Sequence, residues 1–163
     1  MIKPVSFVDL SRFTAAYVVE YRKHAVDNLL QLRSPDEDFP ILEGWKSAKA
    51  VLARIQAGAA PLLGGRHVTL GRVWIETLDG NSGTPWLQEE DAYAQAHIRT
   101  RTCMIPTHDA YTYSGNFREL LNVGVINFIE HRILCSDTNF SPYPRTHLIV
   151  DIKRPEPDVV VES

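Results

Sequence analysis

Four residues of types that bind transition metals lie in the second half of the sequence. They are Cys103, His108, His131 and Cys135. Two thiolates and two imidazoles can hold zinc tetrahedrally. His131 and Cys135 are four residues apart, so on a helix they would share a face. The spacing of the four matches no standard zinc finger. We therefore predict that the protein binds no metal and no other cofactor, with a site made of these four residues as the alternative.

The sequence contains no motif that specifies a reaction. A phosphate-binding loop, a dinucleotide-binding fingerprint and a nucleophile elbow are all absent from it. The acidic residues are scattered, and their pattern is that of solvated side chains. No catalytic residue is predicted, and the sequence favours a protein that is not an enzyme.

Two segments predict strands that would frame the candidate metal ligands. Residues 97–105 alternate, with one side formed by Ile98, Thr100, Thr102 and Met104 and the other by His97, Arg99, Arg101 and Cys103. Side chains of a strand alternate between faces, so we expect one buried and one wet face. Pro106 ends this strand because proline cannot donate to the ladder. Residues 146–153 also alternate and predict a half-buried last strand.

Between these two strands, residues 114–135 predict a long helix. Its apolar side chains cover more than the single stripe of an ordinary surface helix. We therefore expect this helix to be buried on two sides, against its own sheet and against the first helix or a second copy of the chain.

The first half of the sequence predicts two helices and a strand. Apolar residues three and four apart indicate a long helix over 8–32 and a shorter one over 43–57, which Gly58 would terminate. Residues 67–78 predict a strand, and its alternation changes phase at Gly71, which indicates a bulge.

These elements together predict an α+β protein with a mostly antiparallel sheet and helices packed on it. Residues 1–153 would form a single domain. Residues 154–163 contain two prolines and would form an extended C-terminal arm.

Two apolar groups outside the predicted core are candidate contact sites. Trp86 and Leu87 end a loop, 79–88, that is rich in turn-forming residues and should be mobile. The other group is the run of Val159, Val160 and Val161 in the arm. We predict that both mediate self-association.

Composition excludes several classes of protein. A chain of 163 residues with a net charge of −3 is unlike a nucleic-acid-binding protein, which usually carries a basic face. We expect no membrane segment, since no apolar run approaches the roughly 20 residues that cross a bilayer. The N-terminus lacks the apolar core of a signal peptide. Two cysteines form no disulfide framework, and synthesis in a cytoplasm is expected.

The order of the predicted elements resembles that of the tail terminator and neck proteins of long-tailed bacteriophages. The resemblance lies in residues 97–106, the predicted helix 117–133 and the segment 148–152. It implies a structural virion protein made in the host cytoplasm, a subunit of a homo-oligomeric ring, commonly a hexamer, at the head–tail connection. Its partners would be further copies of itself, the tail tube and head-connector proteins. The alternative function is that of a small enzyme or ligand-binding α+β domain, with Cys103, His108, His131 and Cys135 as a metal site.

Overall fold

Two antiparallel β-sheets face each other, and helices cover the outer face of the larger sheet. The computed structural model describes residues 1–65 and 67–155. The strands are β1 (Ile2–Phe7), β2 (Leu29–Arg33), β3 (Thr69–Leu78), β4 (Ser82–Gly83), β5 (His97–Ile105), β6 (Ala110–Ser114), β7 (Phe117–Glu119), β8 (Val125–Ile129), β9 (Cys135–Asn139) and β10 (Arg145–Lys153). The α-helices are α1 (Ser11–Ala16), α2 (Pro40–Glu43), α3 (Lys46–Ala59) and α4 (Ala92–Ala96).

The chain passes back and forth between the two sheets from β3 onwards. The larger sheet has the order β1-β8-β5-β10-β3-β2, and the smaller has the order β4-β9-β6-β7. Strands β3 to β10 therefore make an eight-stranded jelly roll, a double-sheet all-antiparallel architecture. The predicted class, α+β with a mostly antiparallel sheet and helices packed on it, is confirmed.

The main core lies between α3 and the outer face of the larger sheet. Helix α3 buries Ala48, Val51, Leu52, Ile55 and Ala59, whose spacing of three and four places them on one face. They pack against the residues of β3, β8 and β10 that point outward, which include Val73, Ile75, Ile126, Leu148, Val150 and Ile152. The predicted second helix is confirmed, although Gly58 lies inside it and does not end it.

The two alternating strands and the bulge are also present, but the last strand, β10, is buried on both faces and is not half buried as predicted. Strand β10 pairs with β3 on one side and β5 on the other. Along β3, two residues stand opposite one residue of β10, between Leu70 and Val73, which is the bulge expected at Gly71. The inner face of β5 is not wet, however. Arg99 is 8% exposed because the smaller sheet covers this face.

The prediction of a long helix over 114–135 is wrong. This segment forms β7, β8 and the start of β9. Strand β8 lies between β1 and β5 and is covered on both faces, so its apolar residues run almost continuously, as in a buried helix. Gly124 has φ +76°, a left-handed conformation that turns the chain into β8 and that a helix cannot accommodate.

The first helix is much shorter than predicted. After α1 the chain makes a π-helical turn over 17–21 and a 3₁₀ turn over 22–24. Asp27 and Asn28 then have positive φ angles, and Val26 and Leu29 exchange backbone hydrogen bonds of 2.8 and 2.9 Å. This two-residue hairpin turn reverses the chain into β2, so 29–32 is strand.

The loop 79–88 is paired with the smaller sheet. The Asn81 amide donates to the Ser141 carbonyl, and Leu87 exchanges two 2.9 Å backbone hydrogen bonds with Cys135. Trp86 and Leu87 are 53% and 61% exposed, and their role in self-association stays a prediction. The valine run of the arm lies outside the described residues. Within the part of the chain that is described, no helix is long and apolar enough to cross a membrane.

Candidate functional site

A cavity of about 610 Å³ opens between the two sheets. The larger sheet supplies one wall through the inward-facing side chains of β2, β3 and β5. Strand β9 and the segment 84–89 supply the other wall. The volume lies in the range of pockets that bind small molecules, roughly 300–1,000 Å³. We call this cavity the inter-sheet pocket.

Arg99 is the buried cation at the base of the inter-sheet pocket. Its Nε and Nη2 donate to the two carboxylate oxygens of Asp151 at 2.8 and 2.9 Å, and its Nη1 donates to Glu89 at 2.7 Å. Its guanidinium lies over the Trp74 ring, 4.9 Å from the centroid. Burial alone would lower the pKa of Arg99, but the hydrogen bonds and charge of Asp151, together with Glu89, raise it.

Asp151 has a second donor in Tyr93, whose hydroxyl lies 2.8 Å from the carboxylate. Burial, followed by the charge of Asp151, raises the pKa of Tyr93. The phenol therefore remains protonated and serves as a fixed donor. This network holds Arg99 rigidly without the participation of a ligand.

Arg101 is the second arginine of β5 that faces the smaller sheet. It donates to Asp137 at 3.0 Å, and the other oxygen of that carboxylate accepts from Thr112 at 2.6 Å. The more distant Glu76 lies 3.8 Å from Arg101. The contact between Arg101 and Asp137 joins the two sheets, and Asp137 and Glu76 each lie beside the Arg101 cation.

His147 is buried between Arg101 and Arg145 and is not part of the lining of the inter-sheet pocket. Arg145 Nε donates to its Nε2 at 2.9 Å, and Arg101 lies 3.2 Å from its Nδ1. Burial, followed by the charges of the two arginines, lowers the pKa of His147 well below its ordinary value. The imidazole is therefore neutral at pH 7.

His131 differs from His147 in having no hydrogen bond from its ring. It lines the inter-sheet pocket and is 3% exposed, and neither ring nitrogen has a partner among the residues that the structure describes. Burial and then the charge of Arg99 lower its pKa. The pocket therefore contains a neutral imidazole whose hydrogen-bonding capacity is unused.

The structure splits the four Cys and His residues of the alternative metal site. His131 and Cys135 both line the pocket. Cys103 is buried in a small core cluster with Ile2, where burial raises the pKa of its thiol to about 11. His108 is exposed in the turn after β5. The four side chains therefore form no common site.

Comparison with known proteins finds solved structures of similar fold but identifies no family for the chain. No protein-family model and no curated protein match the chain. Among solved structures, the nickel complex of the non-haem monooxygenase ThoJ matches at a TM-score of 0.66 and 13% identity, over 94% of this chain and 73% of ThoJ. EvdMO1 matches at 0.64 and 16% identity, over 94% of this chain and 46% of its own.

A third match is the α-ketoglutarate-dependent non-haem epimerase SnoN, at a TM-score of 0.63 and 14% identity, over 94% of this chain and 76% of SnoN. The chain has a fold similar to that of non-haem oxygenases. The interpretation as a ring-forming phage protein of the head–tail connection is therefore wrong. The long central helix on which that resemblance depended does not exist.

The pocket residues do not fit the metal that this fold carries in such enzymes. Non-haem iron oxygenases hold their metal with two histidines and one carboxylate. His131 is the one histidine among the described residues that line this pocket, and Glu89 and Asp137 are bonded to Arg99 and Arg101. No three His, Cys, Asp or Glu side chains of residues 1–65 and 67–155 are grouped to hold a metal ion.

The thiol of Cys135 does not complete such a set either. It donates to the Glu130 carbonyl at 3.2 Å, and burial raises its pKa, so it is a neutral thiol and not a metal-binding thiolate.

Sequence reasoning missed most of this site. Arg99 and Arg101 were expected on a wet face, and Glu89, Asp137 and Asp151 were not singled out. One signal was present in the sequence: two arginines that alternate with threonine in a strand predicted to be half buried. Their carboxylate partners come from three other segments, which only the fold brings together.

Proposed function

We propose that the chain is a small-molecule-binding domain whose ligand lies in the inter-sheet pocket and is held by side chains without a resident metal ion. The observation that supports this proposal is the 610 Å³ cavity with the buried, unpartnered imidazole of His131 in its wall. A polar group buried without a partner costs free energy, and a ligand that pairs with it recovers that cost.

The wall of the pocket is preorganised for binding. Salt bridges fix the side chains of both arginines: Arg99 is paired with Asp151, and Arg101 is paired with Asp137. Trp74 and Leu29 add apolar surface to the same wall. Most small-molecule sites combine such an apolar lining with a few fixed polar groups.

A variant that fills the pocket provides the test. Leu29 lines the pocket near its opening, whereas Val26, on the same hairpin, is 71% exposed and lies outside the lining. We expect the neutral naphthalene dye prodan to bind saturably to the purified protein, with a blue shift of its emission. Leu29→Trp should weaken this binding at least about tenfold, a change of about 1.4 kcal/mol, and Val26→Trp should leave it unchanged. Absence of saturable binding, or equal binding by both variants, would contradict the proposal.

Metal content provides the second test. We expect elemental analysis of the purified protein, and titration with Fe(II) or Ni(II), to show no stoichiometric binding. Binding of one equivalent that disappears in both Glu89→Ala and His131→Ala would show that the pocket is a metal centre, and would replace the proposed function.

A further inference from the structure

Four of the eight buried side-chain polar atoms that have no partner among the described residues belong to residues of the inter-sheet pocket. These four are Nε of Arg33, Nε of Arg101 and both ring nitrogens of His131. All three residues line the pocket. The two arginines are paired through another nitrogen of the guanidinium group. Arg33 forms a salt bridge with Asp38, and Arg101 forms one with Asp137.

The chemistry of these atoms indicates what they would bind. An arginine Nε–H donates and never accepts, and a neutral imidazole has one donor and one acceptor. The unpartnered atoms are therefore three donors, one from each residue, and one acceptor, the second ring nitrogen of His131. Because two of the donors belong to guanidinium groups, the complementary group is an oxygen acceptor with negative charge, such as a carboxylate.

A cationic ligand fits the same wall poorly. Of the carboxylates that line the pocket, Glu89 and Asp137 are bonded to arginines at 2.7 and 3.0 Å, and Glu76 lies 3.8 Å from Arg101. An amine would have to share each of these carboxylates with an arginine, whereas an anion would pair with donors that are unused.

The apolar part of the wall indicates the shape of the rest of the ligand. Trp74 is half-buried in the lining, with Arg99 above its ring. Leu29 and Pro85 also contribute to the lining. A flat aromatic body can stack or pack edge-on against an indole ring of this kind.

We propose, on the basis of the proposed function, that the ligand of the pocket is a small aromatic carboxylate. Its aromatic body packs against Trp74. Its carboxylate accepts hydrogen bonds from the unused donors of His131 and Arg101, which rotation of these side chains brings to the cavity because both donors are buried in the structure.

The test compares an acid with its amide. We expect isothermal titration calorimetry to show that 1-naphthoate binds at least about tenfold more tightly than 1-naphthamide. Succinate and 2-oxoglutarate, which carry carboxylates without an aromatic body, should bind at least tenfold more weakly than 1-naphthoate. His131→Phe, which keeps an aromatic ring at this position and removes both nitrogens, should weaken naphthoate binding about tenfold and naphthamide binding by a smaller factor.

Two further variants make the test specific. His108→Phe makes the same substitution at an exposed histidine outside the pocket and should change nothing. Arg101→Lys keeps the charge opposite Asp137 but removes the Nε–H donor, and should weaken naphthoate binding without unfolding the protein.

The possible failures are distinguishable from one another. Equal binding of acid and amide, or normal naphthoate binding by His131→Phe, would refute the carboxylate and leave the proposed function supported by the Leu29→Trp result. Succinate or 2-oxoglutarate binding as tightly as naphthoate would refute the aromatic body. Naphthoate binding that Leu29→Trp does not weaken would refute both the inference and the proposed function.

Discussion

Arg99 and Asp151 stand directly opposite each other on β5 and β10, and their side chains form a bidentate pair. The two hydrogen bonds are 2.8 and 2.9 Å long, and Asp151 is completely buried. A buried ion pair of this kind need not stabilise the protein relative to apolar residues. Loss of one partner is costly, however, because the other charge stays buried.

We therefore expect Asp151→Asn to lower the free energy of unfolding by about 3–5 kcal/mol. Urea denaturation followed by circular dichroism measures this change. The control is Asp38→Asn, which breaks the Arg33–Asp38 pair at the surface, where Asp38 is 39% exposed. That change should cost at most about 1 kcal/mol. Similar losses in the two variants would show that Asp151 is not the counter-charge on which Arg99 depends.

The low pKa of His147 predicts how stability depends on pH. In the unfolded chain this histidine takes up a proton as the pH falls below about 6.5. In the folded protein, burial and then Arg101 and Arg145 hold its pKa well below that value. The free energy of unfolding is therefore highest above pH 6.5. It falls as the pH drops from there towards the folded-state pKa, by up to about 1.4 kcal/mol per pH unit, because only the unfolded chain takes up the proton.

His147→Gln should flatten this dependence, because glutamine does not titrate and its carbonyl can accept from Arg145. Denaturation curves at pH 7.5, 6.5, 5.5 and 5.0 would measure the slope. His108→Gln, at an exposed position, should keep the wild-type slope. The lowered pKa of His131 leaves a smaller slope in the His147 variant. An unchanged slope would mean that His147 is protonated equally in both states.

The sequence predicted those elements in which apolar residues occupy one face and polar residues the other. Strand β10 alternates apolar residues with His147 and Asp151 although both of its faces are buried, and helix α3 has one buried face, so the periodicity of each shows in the sequence. The bulge at Gly71 was visible for the same reason, as a change in phase. Strand β8 carries apolar residues on both faces and shows no alternation, so the pattern of 114–135 predicts a helix where the structure has strands.

The functional site was less predictable than the fold. A two-residue turn at Asp27 and Asn28 was hidden inside a run with helical spacing, and it produces the strand that borders the pocket. Whether Arg99 faces water or carboxylates depends on residues 10 and 52 positions away in the sequence. Local pattern contains no information about such distant partners.

The role of Trp86 as a contact residue stays a prediction. Its ring packs edge-on against Tyr113 at 5.6 Å between centroids and remains 53% exposed. We expect Trp86→Ala to lower the free energy of unfolding by no more than about 1 kcal/mol, and to weaken self-association. Analytical ultracentrifugation over a range of concentrations measures the second effect. Val19→Ala, at an 84% exposed apolar residue on the helical side, is the control. An unchanged mass distribution would remove Trp86 from any self-interface.

Gly71, at the bulge of β3, provides a test of how tightly Tyr93 and His97 are packed next to Asp151. A Cβ placed there would lie 2.5 Å from His97 Cδ2 and 2.7 Å from the Tyr93 hydroxyl. Neither ring can move freely, because they stack at 3.9 Å and the hydroxyl is fixed between Asp151 and the Arg72 amide. Gly71→Ala should therefore cost about 1–3 kcal/mol through overpacking.

Gly44→Ala is the matched control for Gly71→Ala, since nothing lies within 4 Å of its Cβ position, and its stability should change by less than about 0.5 kcal/mol. Tyr93→Phe removes the hydroxyl that the new methyl group meets. Combined with Gly71→Ala, it should destabilise the protein by less than the sum of the two single changes, with a coupling of about 0.5 kcal/mol or more. Strict additivity in urea denaturation would show that Gly71 and Tyr93 do not constrain each other.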